Sequence, residues 1–124
     1  MTFNGLQMAA IVKLANAMTL ADGKIQKEEV AVQALELTLF GVSGDATNGI
    51  LNASEALDYG HAISIVAAMT QEQKKHVTGF LAAVMASDGD VADSEIDMWR
   101  LISTLASLPT MSVAEALNYW KSNN

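Results

Sequence analysis

Two short acidic segments are the part of this sequence where side chains could do chemistry. The first runs over residues 22–30 and the second over residues 88–96, and each begins with Asp-Gly and carries a Glu seven positions after the Asp. Carboxylate oxygens gathered at one turn are the ligands that a divalent cation such as calcium or magnesium prefers. The candidate metal ligands are Asp22, Glu29, Asp88, Asp90, Asp93 and Glu95.

Helices must hold these carboxylates in place. Apolar residues at i, i+3, i+4 and i+7 predict a helix from about Gly5 to Ala21, and a mostly apolar one is predicted from about Lys27 to Phe40. The Asp then lies where a helix ends with unpaired carbonyls, and the Glu lies in the first turn of the next helix. The same arrangement recurs around the second segment, so the chain is predicted to be a duplicated helix, Asp-Gly turn, helix unit.

A purely structural role explains the same residues. Gly23 and Gly89 are suited to turning the chain after a helix, while Glu29 and Glu95 can accept hydrogen bonds from backbone N–H groups at a helix start. No metal is required for that role. The glycine also stands directly after the Asp, unlike the sixth-position glycine of an EF-hand loop. Both interpretations, a cation site and a pair of helix connections, stay open.

The remaining signals also predict helices, and no segment alternates with the period of a strand. Residues 41–49 are loop-like, Ile50 to Leu57 form a short helix, and Asp58 caps the helix that ends near Met69. Capping boxes at residues 70–73 and 112–115 start two further helices, of which the last ends near Lys121. The expected fold is all-α, with about seven helices in one domain over residues 1–124.

The apolar faces of two helices define the predicted core. In the helix that follows Thr70, the side with Val77, Phe80, Leu81 and Val84 is expected inward, and Lys74, Lys75 and Thr78 are expected outward. The helix of residues 93–107 is expected to be closed by Pro109. Its inward side is predicted to carry Met98, Leu101, Ile102 and Leu105, and its outward side Asp97, Arg100, Thr104 and Ser107.

Composition excludes several classes of partner. Seven Lys and Arg against fourteen Asp and Glu give a net charge of −7, which has the wrong sign for nucleic acid or an anionic membrane. Cysteine is absent, which removes thiolate metal sites and thiol redox chemistry. No apolar run approaches the roughly 20 residues of a membrane span. The expected partners are cations or basic proteins, and the expected location is the cytoplasm.

Catalytic machinery is not recognisable, so we expect no enzyme. His61 and His76 lie on different predicted helices without a surrounding motif, and each is expected to be solvated or to cap a helix. The methionines are expected to fill the core. Trp99, Tyr119 and Trp120 either close the ends of the core or mark a contact surface for another protein.

The duplicated segments resemble those of a known family. They read ADGKI, followed by Glu29, and MASDGDV, followed by Glu95, which is similar to the paired segments of TerB-like domains, found in the tellurite-resistance protein TerB and in DjlA-type co-chaperones. The resemblance covers about Leu6 to Trp120 and departs from the pattern at Gln26 and Ala92, where a helix cap is usual. It implies a compact bundle of about seven helices and acidic turns that bind a divalent metal or a partner.

The hypothesis that follows is a non-enzymatic, TerB-like acidic binding module in bacterial stress response. It could carry calcium or magnesium at the Asp-Gly turns. The alternative is a module for protein interaction or self-association in which those turns only connect helices.

Overall fold

The protein is described by a computed structural model that covers residues 3–20, 45–86 and 93–122. These residues form an all-α bundle and contain no strand. The helices within them are α1 (Gly5–Leu20), α2 (Asp45–Ala56), α3 (Tyr59–Ala67), α4 (Gln71–Met85), α5 (Asp93–Leu105) and α6 (Val113–Ser122). The predicted helix of residues 27–40 and both Asp-Gly turns lie outside the described residues. No described helix has the length and hydropathy needed to cross a lipid bilayer.

The predicted helix starts are confirmed where a side chain caps the backbone. Asp58 Oδ1 accepts a hydrogen bond from the N–H of His61 at 2.6 Å at the start of α3. At α4, the N–H of Gln73 donates to Thr70 Oγ1 at 3.1 Å, and the N–H of Thr70 donates to Gln73 Oε1 at 3.0 Å. The same reciprocal pair joins the capping residues of α6, at 3.1 Å in each direction. Each pair satisfies backbone donors that the helix leaves unpaired.

Helix α2 begins earlier than predicted, since residues 45–49 are helical rather than a loop. Gly49 and the polar residues around it have low helix propensity, which costs up to about 1 kcal/mol for the glycine. Packing offsets that cost, because Ile50 and Leu51 lie against the core and α2 contacts α1. The prediction failed here because propensity is a weak guide wherever a helix has a partner.

Helix α5 ends at Leu105, two residues before the predicted end, in a Schellman motif. The N–H of Ser107 donates to the carbonyl of Thr104 at 3.3 Å, and the N–H of Leu108 donates to the carbonyl of Ser103 at 2.8 Å. Ser107 has a φ of 54° in the left-handed region, where glycine is more usual. Leu108 is buried behind it, so the chain turns sharply from α5 toward α6.

Helices α1 and α4 form the centre of the bundle. Helix α1 contacts α2, α3, α4 and α5, and α4 contacts α1, α5 and α6. The apolar side of α4 is buried as predicted, but Lys74 and Thr78 on its expected outer side are buried too. Thr78 can be buried because its hydroxyl donates to the carbonyl of Lys74 at 2.7 Å. The prediction was wrong for Lys74 and Thr78 because α5 packs against α4 there, where the indole N–H of Trp99 reaches the carbonyl of Thr78. Lys75 is exposed as predicted.

The contact between α4 and α6 is close because Gly79 has no side chain. A Cβ added at Gly79 would lie 3.1 Å from the carbonyl oxygen of Ala116 and 3.3 Å from Cβ of Trp120. Backbone atoms of a packed helix cannot move aside individually. The glycine therefore sets how closely the two helices approach.

Candidate functional site

The structure describes two of the six predicted metal ligands, Asp93 and Glu95; the others, Asp22, Glu29, Asp88 and Asp90, lie outside the described residues. Asp93 is exposed at the first position of α5, while the side chain of Glu95 is 0% exposed. The two carboxylates therefore occupy different environments on one helix. Within residues 3–20, 45–86 and 93–122, no group of three or more His, Asp or Glu is placed to hold a metal ion.

Glu95 belongs to the face of α5 that packs into the bundle. Glu95, Trp99 and Ile102 lie at i, i+4 and i+7 on this helix, and all three are buried. The indole N–H of Trp99 donates to the carbonyl of Thr78 on α4 at 3.4 Å. Burying a carboxylate is costly unless other groups compensate its charge, and Glu95 does interact with another group of the protein. This glutamate is therefore part of the interior rather than of the surface.

Two leucines of α5 that were predicted to face inward are exposed instead. Leu101 is 51% exposed and Leu105 is 56% exposed, whereas Ile102 is 3% exposed. The prediction was wrong because the stripe built on Glu95 and Trp99 faces the bundle, which turns the leucines toward solvent. Asp97, Arg100, Thr104 and Ser107 are exposed as predicted.

Those leucines form one wall of an apolar groove of about 300 Å³ between α1, α3 and α5. The floor and the other walls come from Leu14 and Ala17 on α1 and from Tyr59 and Ile63 on α3. Tyr59 is a half-exposed aromatic at the rim, and Nζ of Lys13 lies 4.9 Å from the centre of its ring. This distance is that of a cation–π contact between the ammonium group and the ring. The full lining is Leu14, Ala17, Tyr59, Ile63, Met98, Leu101, Ile102 and Leu105.

Comparison with solved structures identifies a relative of this chain. The crystal structure of PG1108, a protein of unknown function from Porphyromonas gingivalis W83, matches it with a TM-score of 0.83 and 42% sequence identity. The match covers 98% of this chain and 92% of that chain. The chain belongs to the same family as PG1108. No protein-family model matches the sequence, and no curated protein matches it either.

A second hollow in this PG1108 relative, of about 590 Å³, lies between the end of α5 and the start of α6. It contains several hydroxyl groups and Arg100, a combination that could bind an anion. However, the hydroxyl of Ser103 donates to the carbonyl of Trp99 at 2.7 Å, and that of Thr104 donates to the carbonyl of Arg100 at 3.0 Å. The hydroxyl of Ser112 caps α6. These groups are engaged with the helices, and the apolar groove is the stronger candidate.

The two histidines differ in their surroundings. His61 is exposed on α3, as predicted, but His76 on α4 is buried, which corrects the prediction for that residue. The imidazole of His76 lies 5.2 Å from the ring of Trp120, 6.1 Å from that of Phe3 and 6.3 Å from that of Tyr119. Burial lowers the pKa of His76 below its ordinary value. The sequence alone could not reveal this cluster, because its rings come from three separate elements.

Proposed function

We propose that this protein is a non-enzymatic binding module that takes an apolar segment of another polypeptide into the groove between α1, α3 and α5. The observation that carries the proposal is the exposure of Leu101, Leu105 and Tyr59 around one apolar hollow. Contiguous exposed apolar surface on a soluble domain marks an interaction site more often than isolated apolar residues do. Burial of apolar surface is the dominant favourable contribution to most protein–protein association.

The same proposal places the chain among TerB-like domains built on a duplicated unit of seven helices. When Asp88 is aligned with Asp22, the apolar positions that correspond on α1 and α4 are all buried, which supports the duplication. These are Ile11, Leu14, Ala15 and Met18 on α1, and Val77, Phe80, Leu81 and Val84 on α4. The boundaries also fit, since α4 ends at Met85 and α5 begins at Asp93, on either side of the second Asp-Gly turn. A role in bacterial stress response follows from the resemblance alone.

The cation site stays a prediction. Four of its six ligands lie outside the described residues, and Glu95 is part of the interior. A buried Glu95 fits the interpretation in which the carboxylates of these turns stabilise the helix connection.

Binding of the neutral fluorescent dye Nile red to the native protein tests whether the groove accepts an apolar ligand. We expect enhanced, blue-shifted emission that is lost when Leu101→Ser and Leu105→Ser are combined. Leu6→Ser is the matched control, because Leu6 is 52% exposed but does not line the groove. Absence of dye binding by the unaltered protein, or an equal loss in the Leu6→Ser variant, would show that the groove is not a binding site. Circular dichroism confirms that each variant remains folded.

A further inference from the structure

The outer face of α5 carries acidic and apolar residues in one column. Asp93, Asp97, Leu101 and Leu105 follow one another at intervals of four residues, and all four are exposed. Side chains four residues apart are neighbours about 6 Å apart along the helix axis, and each such step turns about 40° around the helix. Asp97 is therefore the neighbour of Leu101, and Asp93 lies further round α5. The acidic half of the column therefore begins about one turn away from the apolar half, and the groove lies beside the apolar half.

From this juxtaposition we infer that the occupant of the groove is a basic amphipathic helix of another protein; the inference rests on the proposed function. A helix lying along α5 would place apolar side chains against Leu101 and Leu105. It would then bring a residue one turn further along close to Asp97, and a long side chain two turns along could extend to Asp93. Recognition of an amphipathic helix by an apolar groove is a common binding mode. Lys or Arg at those two positions gives charge complementarity.

The charge of the whole chain favours the same kind of partner. The net charge is −7, and Asp58, beside Tyr59 at the groove rim, adds another exposed carboxylate. Two basic residues lie nearby in the described part of the chain: Lys13, which lies over the Tyr59 ring, and Arg100, which is exposed next to Leu101. An acidic surface attracts a basic partner and accelerates its association.

The same charges disfavour a second copy of the chain and an anionic membrane as occupants. A second copy of the chain would bring together two molecules that each carry −7 and have seven Lys and Arg against fourteen Asp and Glu. An anionic membrane surface would be repelled by the same excess of carboxylates. The polarity of the column therefore selects a basic polypeptide.

Three designed helical peptides of equal length test this inference. The first carries leucines four residues apart with lysines one and two turns further along the same face; the second has glutamate in place of those lysines. The third contains the residues of the first, rearranged so that the leucines share no face. Fluorescence anisotropy of labelled peptides is measured at low and high salt. We expect only the first to bind, more weakly at high salt because the charges are exposed.

Variants of the protein measure how much the acidic half and the apolar half of the column each contribute to peptide binding. Asp93→Asn and Asp97→Asn should each weaken the first peptide roughly two- to fivefold, the range of exposed ion pairs. Leu101→Ser combined with Leu105→Ser should weaken it more than about tenfold. Glu55→Gln, which removes an exposed carboxylate on α2, is the matched control and should leave binding unchanged. The Asp variants are surface changes, so they keep the test valid even if the Ser variant is unstable.

Three results would overturn the inference. Equal binding of the lysine and glutamate peptides, lost in the serine double variant, would contradict a basic partner while leaving the groove as a binding site. Binding of Nile red without binding of any peptide would likewise leave the proposed function intact. A doubled mass in sedimentation equilibrium that reverts to the monomer in Leu105→Ser would identify a second copy as the occupant.

Discussion

Replacing two neighbouring residues of α5 with alanine tests the orientation on which the groove depends. Leu101 and Ile102 are adjacent in sequence and similar in size, but Leu101 is 51% exposed and Ile102 is 3% exposed. Leu101→Ala removes a side chain from the groove wall. Ile102→Ala removes one from the side of α5 that packs into the bundle.

The expected losses of stability differ because burial differs. A buried Ile→Ala replacement costs about 2–5 kcal/mol, since it removes apolar contact and leaves a cavity. Leu→Ala removes three carbons, each worth about 0.8 kcal/mol when fully buried, and half-exposure reduces the cost to about 1 kcal/mol. We therefore expect Ile102→Ala to cost at least about 1 kcal/mol more than Leu101→Ala.

Urea unfolding followed by circular dichroism measures both free energies of unfolding under one two-state analysis. Thermal unfolding provides a second measure, since 1 kcal/mol corresponds to about 4 °C for a domain of this size. Ile102→Ala should lower Tm by roughly 8–20 °C, and Leu101→Ala by about 4 °C. The slope of unfolding free energy against urea concentration should stay unchanged, which would show that neither variant alters the folded state broadly.

Equal losses of unfolding free energy in the two variants would refute the orientation of α5 that exposes Leu101. In that case Leu101 would be as buried as Ile102, as the apolar pattern of the sequence predicted, and the groove would not be open to a partner. A larger loss in Leu101→Ala would have the same meaning.

Three further predictions concern other parts of the molecule. Gly79→Ala should lower the free energy of unfolding by about 1 kcal/mol, because overpacking of about 1–3 kcal/mol exceeds the gain in helix propensity. Gly49→Ala is the control: its added Cβ meets no atom within 4 Å, so it should raise the free energy of unfolding by about 0.5–1 kcal/mol in the same urea assay. Stability should fall as pH drops below about 6.5, because His76 has a lower pKa in the folded chain and therefore binds its proton more readily in the unfolded chain. His76→Gln should flatten this part of the profile of unfolding free energy against pH, and an unchanged profile would contradict the lowered pKa. If the second Asp-Gly turn binds calcium, a millimolar concentration should raise Tm, and the rise should vanish when Asp88→Asn is combined with Glu95→Gln; no rise in the unaltered protein would favour the structural role.

Local signals in the sequence predicted the helix starts well where a side chain caps the helix, though not at α2. Thr70 and Gln73 satisfy each other's backbone donors across three residues, so their hydrogen bonds depend little on the rest of the fold. The cap at Asp58 is equally local. By contrast, the cap of α1 was missed: the N–H of Gln7 donates to Asn4 Oδ1 at 2.8 Å, and the N–H of Asn4 donates to Gln7 Oε1 at 2.9 Å. The Asn-x-x-Gln spacing could have revealed it.

The orientation of helices was harder to predict, because it depends on neighbours that are distant in sequence. Two apolar stripes compete on α5, one through Trp99 and Ile102 and the other through Leu101 and Leu105. The bundle buries the stripe with Trp99, whose indole reaches a carbonyl of α4. Hydropathy alone favours the leucines and gives no sign of this hydrogen bond. The groove requires these leucines to be exposed, so it could not be predicted from the sequence.

Helix α4 packs against α1, α5 and α6, so we expect it to be among the last described parts of the molecule to open. Amide hydrogens in residues 77–82 should exchange with solvent only when the whole domain unfolds, while those at the ends of α3 and α5 exchange through local opening. The groove is lined by α1, α3 and α5 and takes no residue from α4. Mutations at Leu101 and Leu105 can therefore change ligand contacts without changing any residue of the most deeply buried helix.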